Sequence, residues 1–141
     1  MQNKGILILE RTGHANAWVT WPNMYEYLPT NHEKQLETES YSSTMFYMNT
    51  RTNYEQFMRW HILCSLVQQC IAPTNKLYCN FKLKPQVTCH RYDMSSLNIL
   101  LSNYHDFNVS RYAKEDRVNV NVKRGDGKIQ NIQDWTNIVK G

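Results

Sequence analysis

The periodicity of the apolar residues between Tyr41 and Val122 restricts the fold more than any other property of the chain. Four segments are predicted as strands from alternation or from β-branched and aromatic content: residues 41–48, 77–83, 87–92 and 118–122. Residues 52–71 and 93–104 instead repeat their apolar residues every three or four positions, as amphipathic helices do. The order is βαββαβ, which predicts a ferredoxin-like α+β core with two helices on one face of an antiparallel sheet.

The first predicted helix has the clearest boundaries. Thr52 and Glu55 have capping-box spacing, in which a hydroxyl and a carboxylate satisfy free backbone N–H groups at a helix start. Pro73 ends the segment, because proline cannot continue a helix. The apolar stripe is wide enough to predict packing against more than one neighbour, and it contains Phe57, Trp60, Leu63, Cys64, Val67, Cys70 and Ile71.

Further elements are expected on both sides of this core. Residues 6–9 and 18–21 are predicted as additional N-terminal strands, since both are β-prone and bounded by Gly or Pro. Residues 124–127 read Arg-Gly-Asp-Gly, which favours the positive φ angles of a hairpin turn, so a C-terminal hairpin is expected there. With 141 residues, 41% of them apolar and 20% charged, the chain is predicted to form a single domain over residues 1–141.

The four cysteines are predicted to be reduced, and the location of the protein to be intracellular. The apolar run Ile6–Leu9 is too short for the hydrophobic region of a signal peptide. No run approaches the ~20 apolar residues that cross a bilayer, so no membrane association is expected. A cytoplasmic or nuclear location follows, where thiols stay reduced. A disulfide framework is the alternative.

Charge is distributed unevenly along the chain. Residues 1–75 contain five Lys/Arg and six Asp/Glu, whereas residues 76–141 contain eleven and six, giving formal charges of −1 and +5. Clustered cations displace counterions from phosphate chains, which favours an anionic partner; a solvated basic surface without a ligand is the alternative. The fifteen asparagines fit an A/T-rich coding sequence and suggest a viral or mobile-element accessory factor.

A nucleic-acid interface is the first functional prediction. Aromatic rings on an open sheet face stack on unpaired bases while cations hold the phosphates, which suits RNA or another single strand. The predicted contacts, with His90 and Tyr92 beside them, are Tyr78, Lys82, Lys84, Asn121, Lys123 and Arg124. The basic-Gly-aromatic-Gly-aromatic signature of the RNA-recognition motif is absent, and the alternative is that these polar residues only keep a sheet face soluble.

A protein-interaction site is the second prediction. Trp18, Trp21 and Tyr25 lie in an aromatic, proline-broken loop, residues 18–30. Trp and Tyr dominate the binding energy of protein interfaces, so this loop is a candidate for binding a host protein. The alternative is that these rings fold back over an edge of the core.

Thiol- or metal-dependent catalysis is the third alternative, and no motif supports it. The cysteines are separated by five, eight and nine residues, which does not match a zinc site, so Cys64, Cys70 and Cys79 are expected to be buried as small apolar residues. Cys89 and His90 are adjacent, but successive strand residues point to opposite faces and cannot form a catalytic pair. We predict no catalytic residue, no metal and no cofactor.

Overall fold

The computed structural model describes residues 5–42 and 44–113. These residues form a mixed α+β structure, which confirms the predicted class. The strands are β1 (Ile6–Ile8), β2 (Arg11–Ala15), β3 (Glu39–Tyr41) and β4 (Met45–Tyr47). The α-helices are α1 (Met24–Tyr27), α2 (His32–Glu37), α3 (Arg51–Asn53), α4 (Arg59–Ser65), α5 (Gln68–Ile71) and α6 (Tyr92–Tyr104). A π-helical turn at Tyr54–Met58 joins α3 to α4, and 3₁₀ turns cover Asn16–Val19, Phe81–Leu83 and Val109–Arg111.

The strands form two small antiparallel sheets of two strands each. In the first, β1 pairs with β4 and Leu7 lies opposite Phe46. In the second, β2 pairs with β3 and the register shifts along the ladder. Gly13 lies in this irregular stretch with a φ of +78°, a conformation that glycine adopts without a steric penalty. Its N–H donates to the Glu39 carboxylate at 2.7 Å, which fixes the bulged strand to its partner.

Helix α6 is the centre of the fold. Its residues from Ser95 to Ser102 are all buried, so the helix is surrounded on every side, and polar residues within it must find partners inside the protein. Ser95 donates its hydroxyl hydrogen to the Val19 carbonyl at 2.9 Å. Gln35 donates from Nε2 to the Ser102 hydroxyl oxygen at 2.7 Å. These contacts tie both the 3₁₀ turn and α2 to the central helix.

The ferredoxin-like topology is not confirmed. The predicted strands at residues 77–83 and 87–92 are wrong, because the first segment is a loop with a 3₁₀ turn and the second is a loop that leads into α6. Leu77 and Leu83 are 47% and 49% exposed, so the alternation does not mark a buried strand face. The predicted strand at residues 18–21 is also wrong, since it overlaps a 3₁₀ turn. The predicted strand at 118–122 and the hairpin at 124–127 lie outside the described residues.

The predicted first helix is confirmed, with changed ends. Its cap is Thr50 rather than Thr52: the Thr50 hydroxyl oxygen accepts the Asn53 N–H at 3.1 Å. The helix ends at Ser65 rather than near Pro73, and α5 follows as a separate turn. Only part of the wide apolar stripe is buried, because Trp60 and Leu63 remain 45% and 44% exposed.

The prediction of reduced cysteines is wrong. Cys64 bonds to Cys70 and Cys79 bonds to Cys89, with Cα–Cα distances of 5.2 and 4.8 Å, and no free cysteine remains. The first bond joins α4 to α5 across the break between them. The second closes the loop before α6. The sequence spacing did not reveal these pairs, because each closes through a local turn that periodicity does not encode.

Candidate ligand-binding surface

The loop formed by residues 76–90 is held in one conformation by short-range bonds. The Cys79–Cys89 disulfide closes it. Inside the closed loop, the Asn80 N–H donates to the Thr88 hydroxyl oxygen at 2.8 Å. The Asn80 side-chain oxygen in turn accepts the Lys82 N–H at 3.1 Å, which caps the short 3₁₀ turn. A loop that is crosslinked and internally bonded presents its side chains with little loss of entropy when a ligand binds.

Two lysines of this loop lie over tryptophans from the segment that follows β2. The Lys84 ammonium is 4.3 Å from the ring centroid of Trp18, and the Lys76 ammonium is 5.0 Å from that of Trp21. Lys84 is also 5.6 Å from the Phe81 ring. These are cation–π distances. We call the five residues Trp18, Trp21, Lys76, Phe81 and Lys84 the basic aromatic surface.

His90 joins the two segments that form this surface. Its backbone N–H donates to the Lys76 carbonyl at 2.8 Å. Its Nδ1 accepts the Trp21 backbone N–H at 3.0 Å, which leaves the ring proton on Nε2, and Nε2 donates to the Ile71 carbonyl at 3.0 Å. Burial lowers the pKa of His90, and the bond to the Ile71 carbonyl opposes that shift. The neutral imidazole therefore fixes the backbone of Trp21, and the backbone N–H of His90 fixes that of Lys76.

The local charge is positive. Residues 76–91 contain Lys76, Lys82, Lys84 and Arg91 and no acidic residue. Glu39, an acid whose charge acts on His14 beside this loop, is paired with Arg11 at 3.2 Å, so the charge of Glu39 is partly neutralised.

His14 lies at the edge of the surface, stacked on Phe81 with centroids 4.9 Å apart. Burial lowers the pKa of His14. The bond to the Ala15 carbonyl and the charge of Glu39 oppose this shift, whereas Arg91 and Lys84 add to it. His14 therefore acts as a neutral ring that supports Phe81 rather than as a further cation.

Three of the predicted nucleic-acid contacts lie on the 76–90 loop. Tyr78 is 93% exposed, and Lys82 and Lys84 are exposed. The other three, Asn121, Lys123 and Arg124, lie outside the described residues. His90 was expected to be exposed beside them, and that expectation is wrong because it is fully buried.

The three predicted protein-binding residues have different surroundings. Trp18 and Trp21 belong to the basic aromatic surface and are half-buried. Tyr25 is not one of the residues of that surface: its ring is 4.2 Å from that of His32, it lines a pocket with Pro85 and Val87 of the 76–90 loop, and burial raises its pKa to about 12. The structure therefore places Trp18, which was predicted to bind a protein, in contact with Lys84, which was predicted to bind nucleic acid.

Sequence reasoning missed four residues of this region: Lys76, Phe81, His14 and His90 as a positioning residue. Phe81 was assigned to the apolar side of a strand, and His90 to the exposed side of another. The available signal was the run of residues 76–91, which holds four Lys or Arg and no acidic residue and contains two cysteines, Cys79 and Cys89. The Cys79–Cys89 crosslink positions the side chains of this loop. The alternation of apolar and polar residues in the loop predicted a strand instead.

The remaining chemistry of this region is limited. Cys89 is buried and bonded to Cys79, so it carries no free thiol in this structure. Within residues 5–42 and 44–113, no three His, Cys, Asp or Glu side chains are grouped as metal ligands. None of the helices in this part of the chain combines the length and apolar character that a bilayer span requires. In comparisons with known proteins, the chain matches no family model, and no curated protein or solved structure is significantly similar to it.

Proposed function

We propose that this protein is a non-enzymatic binding protein that engages single-stranded nucleic acid, with RNA as the first choice, through the basic aromatic surface. The observation that carries the proposal is the placement of Lys84 and Lys76 over Trp18 and Trp21. Aromatic faces and cations on one surface are the two components that sequence-tolerant single-strand binding needs.

The lysines and rings can exchange partners when a strand binds. An exposed cation–π contact stabilises a protein by ~0.5–1 kcal/mol, whereas stacking a base on an aromatic ring contributes ~1–3 kcal/mol. A base that enters over a ring therefore displaces the ammonium group with a net gain. The displaced lysine reaches the adjacent phosphate through its flexible side chain.

Exposed residues of the loop extend this proposed interface. Tyr78 offers a ring that is 93% exposed, and Lys82 a cation that is free to move. Asn121, Lys123 and Arg124 remain proposed contacts on the basis of the basic C-terminal sequence.

Fluorescence anisotropy with a labelled oligouridine of about 12 nucleotides tests the proposal, since single-strand-binding modules cover ~4–16 nucleotides. Lys84→Gln should weaken binding about fivefold, which corresponds to ~1 kcal/mol. Lys34→Gln is the matched control, because Lys34 also lies over a ring, 5.1 Å from the Phe107 centroid, but in another part of the molecule. Equal effects of the two substitutions, or no binding to the wild-type protein, would refute the proposal.

A second variant separates nucleic-acid recognition from binding to any polyanion. Tyr78→Ala should weaken binding to the oligouridine by about five- to a hundredfold through lost stacking, while heparin binding stays unchanged. Tyr54→Ala is the control, since Tyr54 is an exposed aromatic residue on the helical segment Arg51–Ser65, outside the 76–90 loop. If Tyr78→Ala leaves oligouridine binding unchanged and heparin competes fully, the surface recognises anionic polymers in general.

The location that we propose is an oxidising compartment. The intracellular prediction depended on the short apolar run Ile6–Leu9 and implied reduced thiols, whereas both cysteine pairs are bonded. Disulfides persist in secreted and extracellular proteins and are rare in the cytosol. Peptide mapping of the native protein without reduction should recover the Cys64–Cys70 and Cys79–Cys89 crosslinks; four alkylated thiols would contradict this location.

A protein partner that binds the segment 18–30 is the second candidate function. The observation that favours it is the exposure of Tyr27, which is 44% accessible within this segment. Tyr27→Ala should abolish capture of such a partner while leaving oligouridine binding intact. Unchanged capture would exclude this segment as the interface.

A further inference from the structure

A cleft of about 700 Å³ lies on α1, the helical segment Arg51–Ser65 and the end of α6. It is separate from the basic aromatic surface, with which it shares no residue. Its wall includes Tyr27, Gln56, Trp60, Asn103, Tyr104 and Asp106. Its volume is within the range of ~300–1,000 Å³ that is usual for sites that bind small molecules.

Aromatic rings form much of the wall. Tyr27 and Trp60 are 44% and 45% exposed, so their rings are accessible from the cleft. The Tyr104 hydroxyl donates to the Asn53 side-chain oxygen at 3.2 Å, which holds that ring in place. Rings with a negative face attract the slightly positive C–H groups of a saturated ring that stacks on them.

The helical wall presents polar groups beside these rings. Thr52, Gln56 and Trp60 are spaced four residues apart, so they follow one face of the helical segment. Thr52 and Gln56 have exposed side chains. Gln56 lies in the π-helical turn, a distortion that is frequent at functional sites.

The opposite wall adds an amide and a carboxylate. The Asn103 amide is fixed, because its Nδ2 donates to the Pro29 carbonyl at 2.9 Å and its oxygen accepts the Thr30 hydroxyl hydrogen at 2.6 Å. Asp106 follows at the end of α6, with a φ of +52° and an exposed side chain. A hydroxyl, an amide and a carboxylate together offer donors and acceptors to a ligand that carries several hydroxyl groups.

The charge of the lining restricts the ligand class. Among the residues that the structure describes, no Lys, Arg or His lines the cleft, and Asp106 is the one carboxylate in its wall. A phosphate or other anion would meet no cation among these lining residues and would be repelled by Asp106. The Arg59 guanidinium lies 5.5 Å from the Trp60 ring centroid but is not one of the lining residues. A purely apolar ligand would leave the polar groups of the cleft without partners.

From these properties we infer that the cleft binds a neutral sugar, as a single ring or a short oligosaccharide. The C–H face of the sugar stacks on Trp60, with Tyr27 beside it, and its hydroxyls bond to Gln56 and Asp106. This inference does not depend on nucleic-acid binding, because the two sites use different residues.

Saturation-transfer NMR of the whole protein tests the inference with maltotriose, mannotriose and triacetylchitotriose as probes. At least one of them should bind, with contacts on one face of its rings. Trp60→Ala should weaken that binding by at least about tenfold, equivalent to ~1.4 kcal/mol. Tyr54→Ala is the matched control, since Tyr54 has nearly the same exposure, 46%, on the same helical segment but does not line the cleft.

Gln56→Ala provides a second variant that should leave folding intact, because the Gln56 side chain is exposed. It should weaken sugar binding and leave oligouridine binding unchanged. No binding of any probe at about 10 mM, or equal binding by Trp60→Ala and wild type, would overturn the inference. Preferential binding of choline would also overturn it, because aromatic walls beside a carboxylate are the recognition mode for a quaternary ammonium ion.

Discussion

His90 shows how a single buried side chain positions a surface. Its ring bridges the Trp21 N–H and the Ile71 carbonyl, and its backbone holds Lys76. Protonation of Nδ1 would place its proton against the Trp21 backbone N–H, which already donates to that nitrogen. The neutral ring is therefore the form that the folded protein requires, which agrees with the lowered pKa of this buried histidine.

The pH dependence of stability follows from this requirement. The pKa of His90 is lowered from its ordinary value of 6.5, so its contribution to stability is complete above about pH 6.5 and is lost as the pH falls towards the folded pKa. Urea denaturation should give a lower free energy of unfolding at pH 5 than at pH 7. In His90→Gln the loss between these two values should be smaller, although the variant is less stable at pH 7. An unchanged loss would show that other groups, such as His14 and His61, determine it.

At the scale of elements, one side chain joins the central helix to a sheet. The Asn98 oxygen accepts the Tyr41 N–H at 2.9 Å, and its Nδ2 donates to the Tyr41 carbonyl at 2.8 Å. The side chain of α6 thus replaces a neighbouring strand at the free edge of β3. A buried edge without these bonds would leave a backbone donor and an acceptor unsatisfied.

Asn98→Ala is predicted to be strongly destabilising. Each backbone group left unsatisfied in the interior costs ~1–3 kcal/mol, so loss of both bonds should lower the free energy of unfolding by ~2–6 kcal/mol. Asn49→Ala, at an exposed position, should change it by less than ~0.5 kcal/mol. Chemical denaturation of the two variants decides the matter, and a loss below about 1 kcal/mol for Asn98→Ala would contradict the assigned role.

The sequence predicted some elements and missed others for definable reasons. The segment Arg51–Ser65 and α6 were predicted because helical periodicity and bounding residues are local signals. Residues 77–83 were assigned to a strand because a disulfide-closed loop also alternated apolar and polar residues. The contacts of Trp18 with Lys84 and of Trp21 with Lys76 join residues more than fifty positions apart, and no local pattern encodes such pairs. Some of the individual site residues could therefore be predicted from the sequence, but the contacts between them could not.

At the scale of the whole molecule, the two disulfides have different roles: both stabilise the fold, and one also shapes the proposed binding loop. Cys64–Cys70 and Cys79–Cys89 close short loops, with sequence separations of 6 and 10, so each should stabilise the folded state by ~2–3 kcal/mol through loss of entropy in the unfolded chain. Only the second lies within the loop that carries Lys84 and Phe81.

Paired substitutions distinguish these roles. Cys64→Ala with Cys70→Ala should lower stability and leave oligouridine binding unchanged. Cys79→Ala with Cys89→Ala should lower stability by a similar amount and also weaken binding, because the loop loses its closed conformation. Urea denaturation and anisotropy measure the two effects separately. Equal binding by the two double variants would contradict the role of the second disulfide.

The most direct measurement of the central claim is the salt dependence of oligouridine binding. For single strands, the slope of log K against log salt is about −0.7 for each phosphate neutralised. If Lys76 and Lys84 each reach a phosphate, replacing both with Gln should make the slope less negative by about 1.4. Replacing Lys34 should leave the slope unchanged. A double variant with the wild-type slope would show that the basic aromatic surface does not contact the nucleic-acid backbone.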